Sequence, residues 1–279
     1  MRARAALFDV YGDHLRSRGD VAPVAALVRL LIPLGIKSPA VRTAVSRMVR
    51  QGWLVPVGLA EGPGYALTER AAHRLDGALT RIYRIPGTAE WDGRWHLLVV
   101  TQPPGHSART RLAGDLAFLG YGRLGGSTWL GVRASPEVIA AAAAHGATVD
   151  AFDAVHAGDP RAMMDRAWDL QRLAGAYTRF IDDLSPVVRE VGPGASDESA
   201  FAARSVLVHA WRNFLFADPG LPPSVLPGDW PGSRAAAFFD AEAGRLLPPA
   251  TRFVDACLTG PRATHADPAG GVALSASPY

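Results

Sequence analysis

A single cysteine, Cys257, occurs in 279 residues. This excludes an internal disulfide and any metal site built from a cysteine cluster. Eight histidines are present, but none at HxxxH or HExxH spacing, and there is no GxSxG elbow. The sequence therefore predicts no catalytic set, no metal and no cofactor. Long apolar runs are missing too. The best of them, 21–34 and 138–144, are too short or too interrupted for a membrane span of about 20 residues. The start, Met1-Arg-Ala-Arg4, turns at once into an amphipathic stretch holding Asp9 and Asp13, with no apolar h-region or cleavage site. These absences together point to a cytoplasmic protein. No internal repeat and no sustained heptad run occurs.

Lysine is nearly absent as well: of 29 cationic residues only Lys37 is not arginine. The formal net charge of +3 is uninformative until it is divided. Residues 1–84 carry 13 cations against 6 acids, a balance of +7. Residues 85–279 carry 16 against 20, a balance of −4. Positive charge gathered at one end suits contact with a polyanion, leaving the remainder for another task.

The length allows two or three small domains, and the pattern divides into four segments. Residues 1–84 read as a winged helix-turn-helix. Helices are expected over 3–16 and 23–34, then a tight Gly35-Ile36-Lys37 turn. A third helix opens at Ser38 as N-cap with Pro39 behind it, and Gly52 stops it. Two short strands, 53–57 and 65–67, flank a Gly-rich tip, and Thr68 caps a helix to Tyr83. Residues 85–93 read as a linker opening the second segment, 85–158. Its elements alternate: strand 95–101, helix 107–119, strands 121–124 and 128–132, helix 136–145, strand 148–155. That βαββαβ order is the ferredoxin-like one. Residues 159–260 read as all-helical, with helices over 161–183, 196–216, 233–247 and 250–258. The tail 261–279, rich in Ala, Gly, Ser and Pro, reads as flexible. The fold class expected is thus α+β and multidomain.

The third helix is the informative one. At 100° per residue, Val41, Ala44, Val45 and Met48 share one side, and Arg42, Thr43, Ser46, Arg47 and Arg50 share the other. A helix with a small apolar face and an outer face of guanidinium and hydroxyl groups suits the DNA major groove. Arginine can bond guanine bidentately there, and serine or threonine can bond bases or phosphates. Taken alone, such a face is also what an ordinary solvated helix shows. The preceding turn, the following hairpin and the local charge favour DNA.

At these residues the sequence resembles a known family. The run PLGIKSPAVRTAVSRMVRQGW (33–53) is similar to the recognition region of the PaaX family, bacterial repressors of phenylacetic acid catabolism. YALT (65–68) resembles the end of the family's wing, and WDGRW (91–95) the start of its central domain. LAFLGYG (116–122) and Trp129-Leu130 resemble its middle, and DPGLPPSVLPGDWPG (218–232) a loop of its helical C-terminal domain. The resemblance implies a homodimer on a palindromic operator, released by an aryl-CoA thioester such as phenylacetyl-CoA. One departure is the wing tip, Glu61-Gly-Pro-Gly64, which has no basic residue. DNA contact is then expected from Lys37, Ser38, Arg42, Thr43, Ser46, Arg47 and Arg50, joined by Arg70 and Arg74. Arg94, Arg109, Arg111 and Arg123 are candidates for the phosphates of a CoA effector, with solvent or carboxylates as the alternative.

Other features read as structural. The Gly-rich run 120–126 follows a helix, whereas a dinucleotide fingerprint follows a strand, so it reads as a hairpin. Six tryptophans beyond the first segment read as core, and Cys257 as a small buried residue. A metal-dependent nuclease on the central unit is the alternative function. It would need a carboxylate on the first strand, and 95–101 has none. A DNA-binding scaffold without an effector is a third reading.

Overall fold

The computed structural model describes residues 1–60, 62–82, 91–101 and 103–260. Most of the expected linker and the whole tail 261–279 lie outside the described residues. The architecture is mixed helix and sheet, with two antiparallel sheets.

The first expected helix is regular only through α1 (Ala3–Val10). It continues as a π-helical turn, Tyr11–Leu15, and a 3-10 turn, Arg16–Arg18. Widening the turn lets Tyr11, Gly12, His14 and Leu15 all be buried. The Tyr11 hydroxyl donates to the Tyr65 carbonyl at 2.8 Å, and burial pushes its pKa up. Next comes an unexpected strand, β1 (Val21–Pro23), so the helix expected from Pro23 starts later, as α2 (Val24–Leu31). Three residues are too few to show a periodic signal. They form a strand because β3 offers a free edge, with Val21 opposite Ala66 and Pro23 opposite Gly64. A side chain at Gly64 would stand 3.0 Å from the Ala22 carbonyl, so glycine allows the close approach.

After a 3-10 turn (Ile32–Leu34), Gly35 takes the left-handed conformation at φ 73° and α3 runs Ser38–Arg50. Ser38 is not its N-cap. Lys37, extended at ψ 148°, holds that position, and Ser38 is the first helical residue. Burial of Ile36 anchors the chain just before Lys37, so the extended backbone ends one residue earlier than the Ser-Pro pattern suggests. β2 (Leu54–Leu59) and β3 (Gly62–Leu67) form the hairpin, with Leu54 opposite Leu67 and Leu59 opposite Gly62. Thr68 caps α4 (Glu69–Ile82) as expected: its oxygen accepts from Ala71 N at 3.3 Å and its hydroxyl donates to the Gly52 carbonyl at 2.8 Å.

In the middle segment the chain runs β4 (Trp95–Val100), α5 (His106–Phe118), β5 (Gly122–Gly125), β6 (Thr128–Gly131), α6 (Glu137–Ala143), β7 (Val149–Ala154). The strand order is β5-β6-β4-β7, every pair antiparallel. Leu98 and Val100 pack under Leu112 and Leu116 of α5 and Val138 and Ala142 of α6. The other face, at Trp95 and Leu130, is covered by Met163 and Met164 of α7 (Pro160–Ala167) and by Leu221 and Val225.

The expected helix 161–183 is two helices. The chain straightens at Trp168 (φ −135°, ψ 147°), and Asp169 then caps α8 (Leu170–Arg189) by accepting from Arg172 N at 3.0 Å. The break lets the Trp168 ring sit 6.4 Å from that of Trp95. After α9 (Asp197–Arg212) the two helices expected at the end are one, α10 (Pro231–Thr259), with Pro248 and Pro249 inside it. Two prolines should break a helix. Here the buried stripe Ala243, Leu246, Ala250, Val254 and Cys257 runs straight past them, so packing outweighs the lost hydrogen bonds. Phe201 of α9 and Ala250, Val254 and Cys257 of α10 belong to the same apolar cluster as α1, α2 and α3. The N-terminal segment therefore rests on the C-terminal helices.

Candidate nucleic-acid interface

α3 buries Val41, Ala44, Val45 and Met48 and exposes Arg42, Thr43, Ser46, Arg47 and Arg50. Its apolar side packs on α1 and α2, which in turn lie against α9 and α10. The exposed side is thus on the face away from the C-terminal helices. Arg42 Nε donates to Ser38 Oγ at 3.4 Å, and the Thr43 hydroxyl donates to the Pro39 carbonyl at 2.9 Å. Among the described residues, Lys37, Arg42, Arg47 and Arg50 make no ion pair. Arg47 and Arg50 occupy the last turn, where the helix dipole favours a cation. Arg70 is exposed on α4, its guanidinium carbon 5.3 Å from the centre of the Trp53 ring. Arg74 lies on the same helix, its side chain outside those described.

Not all of the local positive charge faces outward. Arg16 bonds Asp76 through Nε at 2.9 Å and also pairs with Asp20. Arg18 bonds Asp255 of α10 at 2.8 Å, and Arg29 donates to the Cys257 carbonyl. These three hold the segment to itself or to α10.

A buried ion-pair seam, which the sequence reading missed, joins the same segment to α9. Arg204 donates to both oxygens of Asp13, at 3.0 and 2.7 Å, and to the Ala243 carbonyl. Asp9 pairs with Arg212 and lies 2.7 Å from His209 Nδ1. Asp9, His14 and Arg204 are all buried. The available signal was two carboxylates, Asp9 and Asp13, four residues apart on one expected helix, a spacing that puts both on one face.

The His14 ring sits in this seam with neither nitrogen hydrogen-bonded, its Nε2 3.3 Å from Asp13. Burial lowers its pKa, and Arg204 and Arg18 act in the same direction against Asp13. The unfolded chain gains a proton here below about pH 6.5, which the folded chain refuses. Stability should therefore fall as pH drops from about 7.5 to 5.5. His14→Phe should flatten that part of the profile, read from Tm against pH; an unchanged profile would remove His14 as its source.

The four candidate effector arginines lie on two elements and the turn before β4. Arg94 precedes β4, and Arg109 and Arg111 are exposed on α5, where Arg111 donates to Ser107 Oγ at 2.7 Å. Arg123 on β5 is bound to the Gly126 carbonyl at 2.8 Å and closes its own hairpin.

Three family matches cover the chain in order. Residues 2–71 match the PaaX-like protein family, 88–164 the PaaX protein central Cas2-like domain, and 168–256 the PaaX-like protein C-terminal domain. The chain belongs to the PaaX family. This family member is 29% identical over 260 residues to the transcriptional repressor PaaX of Escherichia coli K12, across 88% of this chain and 80% of that protein. Its fold is similar to that of the uncharacterized protein Rv0674 from Mycobacterium tuberculosis. The TM-score is 0.63 at 26% identity, covering 92% of this chain and 98% of the other. The family match to 2–71 contains α3 and its exposed arginines.

Proposed function

We propose that the chain is a DNA-binding transcriptional repressor and not an enzyme. The observation that carries this is the outer face of α3: three guanidiniums and two hydroxyls, exposed and free of carboxylates, on a helix whose other side is buried. The repressor from Escherichia coli supports the same reading. On it, α2, the Gly35 turn and α3 form the helix-turn-helix, and β2–β3 the wing. The order β5-β6-β4-β7 supports a ferredoxin-like middle. α3 enters the major groove, where Arg42, Arg47 and Arg50 meet guanines or phosphates, with Lys37, Ser38, Thr43, Ser46, Arg70 and Arg74 around them. The wing offers little to phosphate, because β2 exposes Val55 and Pro56 in place of cations.

The finer part of the proposal is a homodimer on a two-fold operator, with half-sites about one helical turn, roughly 34–36 Å, apart. An aryl-CoA thioester such as phenylacetyl-CoA would release it by preferring the dimer shape that does not fit DNA. The regulated operon would serve aromatic-acid catabolism, and the protein would act in the cytoplasm. Among the described residues no helix is long and apolar enough to cross a membrane.

Genomic footprinting with the purified chain tests the function. The expected result is protection of a few paired half-sites upstream of aromatic-acid genes, lost when an aryl-CoA is added. Protection that is diffuse along the genome would count against a specific repressor. Affinity should also fall steeply with salt, since each neutralised phosphate releases counterions; a flat response would exclude DNA as the partner.

A further inference from the structure

Two exposed arginines stand at the ends of a ladder of rings. The Arg4 guanidinium carbon lies 5.5 Å from the Phe8 ring centre. Phe8 meets Trp53 edge to face, 5.2 Å between centres at 87°. Arg70 lies over the far ring at 5.3 Å. The ladder joins three pieces of chain: α1, the residue after the α3 stop, and the first turn of α4. Both rings are half-buried and both arginines are exposed.

Among the described residues neither arginine is in an ion pair, unlike Arg16 and Arg18. A guanidinium stacked on a ring uses its face and leaves its N–H edges free. Its rotamers are already restricted, so less entropy is lost when an anion binds. The nearest acid in sequence is Glu69, exposed beside Arg70. Asp9 lies 100° round α1 from Phe8 and is bound to α9. α1 thus has two working sides, one on the C-terminal helices and one on this ladder.

Its position matters. Trp53 follows Arg50 by three residues, a chain reach of at most about 11 Å, and α1 packs directly on α3. The ladder lies at the end of α3 that carries Arg47 and Arg50. We propose that Arg4 and Arg70, held on the Phe8–Trp53 platform, bind backbone phosphates of DNA flanking the site that α3 reads. This rests on the reading of α3 as the recognition helix. It supplies the phosphate contact that the non-basic wing lacks.

The test uses the full chain and a random-sequence duplex of about 30 base pairs, titrated by fluorescence anisotropy at several salt concentrations. Phosphate binding needs no operator, so this probe suffices. Arg4→Ala/Arg70→Ala should reduce the slope of log K against log salt by about 1.8, roughly 0.9 per lost phosphate contact, and weaken binding about tenfold or more at low salt. The control Arg172→Ala/Arg179→Ala removes the same charge from α8 and should leave the slope unchanged. An unchanged slope in the first variant, or an equal fall in both, overturns the phosphate platform. Absence of salt-dependent binding in the wild type overturns the reading of α3 itself, and the platform with it.

Discussion

Arg204→Ala should destabilise the folded chain by about 3–5 kcal/mol, because it removes the guanidinium that pairs with the Asp13 carboxylate in the interior. Asp13 has two hydrogen bonds from Arg204, at 3.0 and 2.7 Å, and the arginine is 3% exposed. Against a typical total of about 5–15 kcal/mol, that loss leaves little. The strain falls on one junction, where α1 and its π turn meet α9. Removing both charges is a different experiment. A buried pair costs much of its attraction in desolvation, so Asp13→Leu/Arg204→Met should recover most of the stability. Urea melts of the wild type, Arg204→Ala and the double variant check both statements. If Arg204→Ala melts like the wild type, the seam does not hold the segment to α9. If the double variant is as weak as the single one, the loss comes from packing and not from the broken charge pair.

Arg42→Ala and Arg47→Ala should each weaken operator binding by about 1–3 kcal/mol if each reads a base. Both are exposed on α3, so neither should lower Tm appreciably. The distinction from the ladder arginines lies in sequence preference. Losing a base contact relaxes specificity at one position, and losing a phosphate contact weakens all sequences alike. Competition titrations of the footprinted operator against random duplex would separate them. Unchanged operator affinity in both variants would remove α3 from the major groove. A uniform loss on operator and random DNA would make Arg42 and Arg47 phosphate contacts.

The two sides of α3 were legible because the signal is local. Thirteen residues at helical spacing sort themselves into an apolar side and a guanidinium side without reference to anything distant. The hairpin and the βαββαβ run were readable for the same reason: turn glycines and short alternating runs sit beside one another in the chain. Where a distant partner set the local structure, the reading failed. β1 exists because β3 is beside it, and α10 passes Pro248-Pro249 because α9 and the N-terminal segment hold its buried stripe. Trp168 breaks a periodic helix in order to reach Trp95.

By itself the sequence determined the hairpin, the βαββαβ run, the concentration of positive charge in the first third and the arginine face of α3. All of these are properties of neighbours along the chain. Only the tertiary structure decided how that charge is divided. Arg16, Arg18 and Arg29 are committed to Asp76, Asp255 and the Cys257 carbonyl, whereas Arg4 and Arg70 are presented on rings from separate elements. It also decided that α1 and the π turn after it bind α9 through Asp9 and Asp13, roughly 190–200 positions away in sequence. A buried carboxylate must find its cation wherever folding places one, and no spacing rule reaches that far.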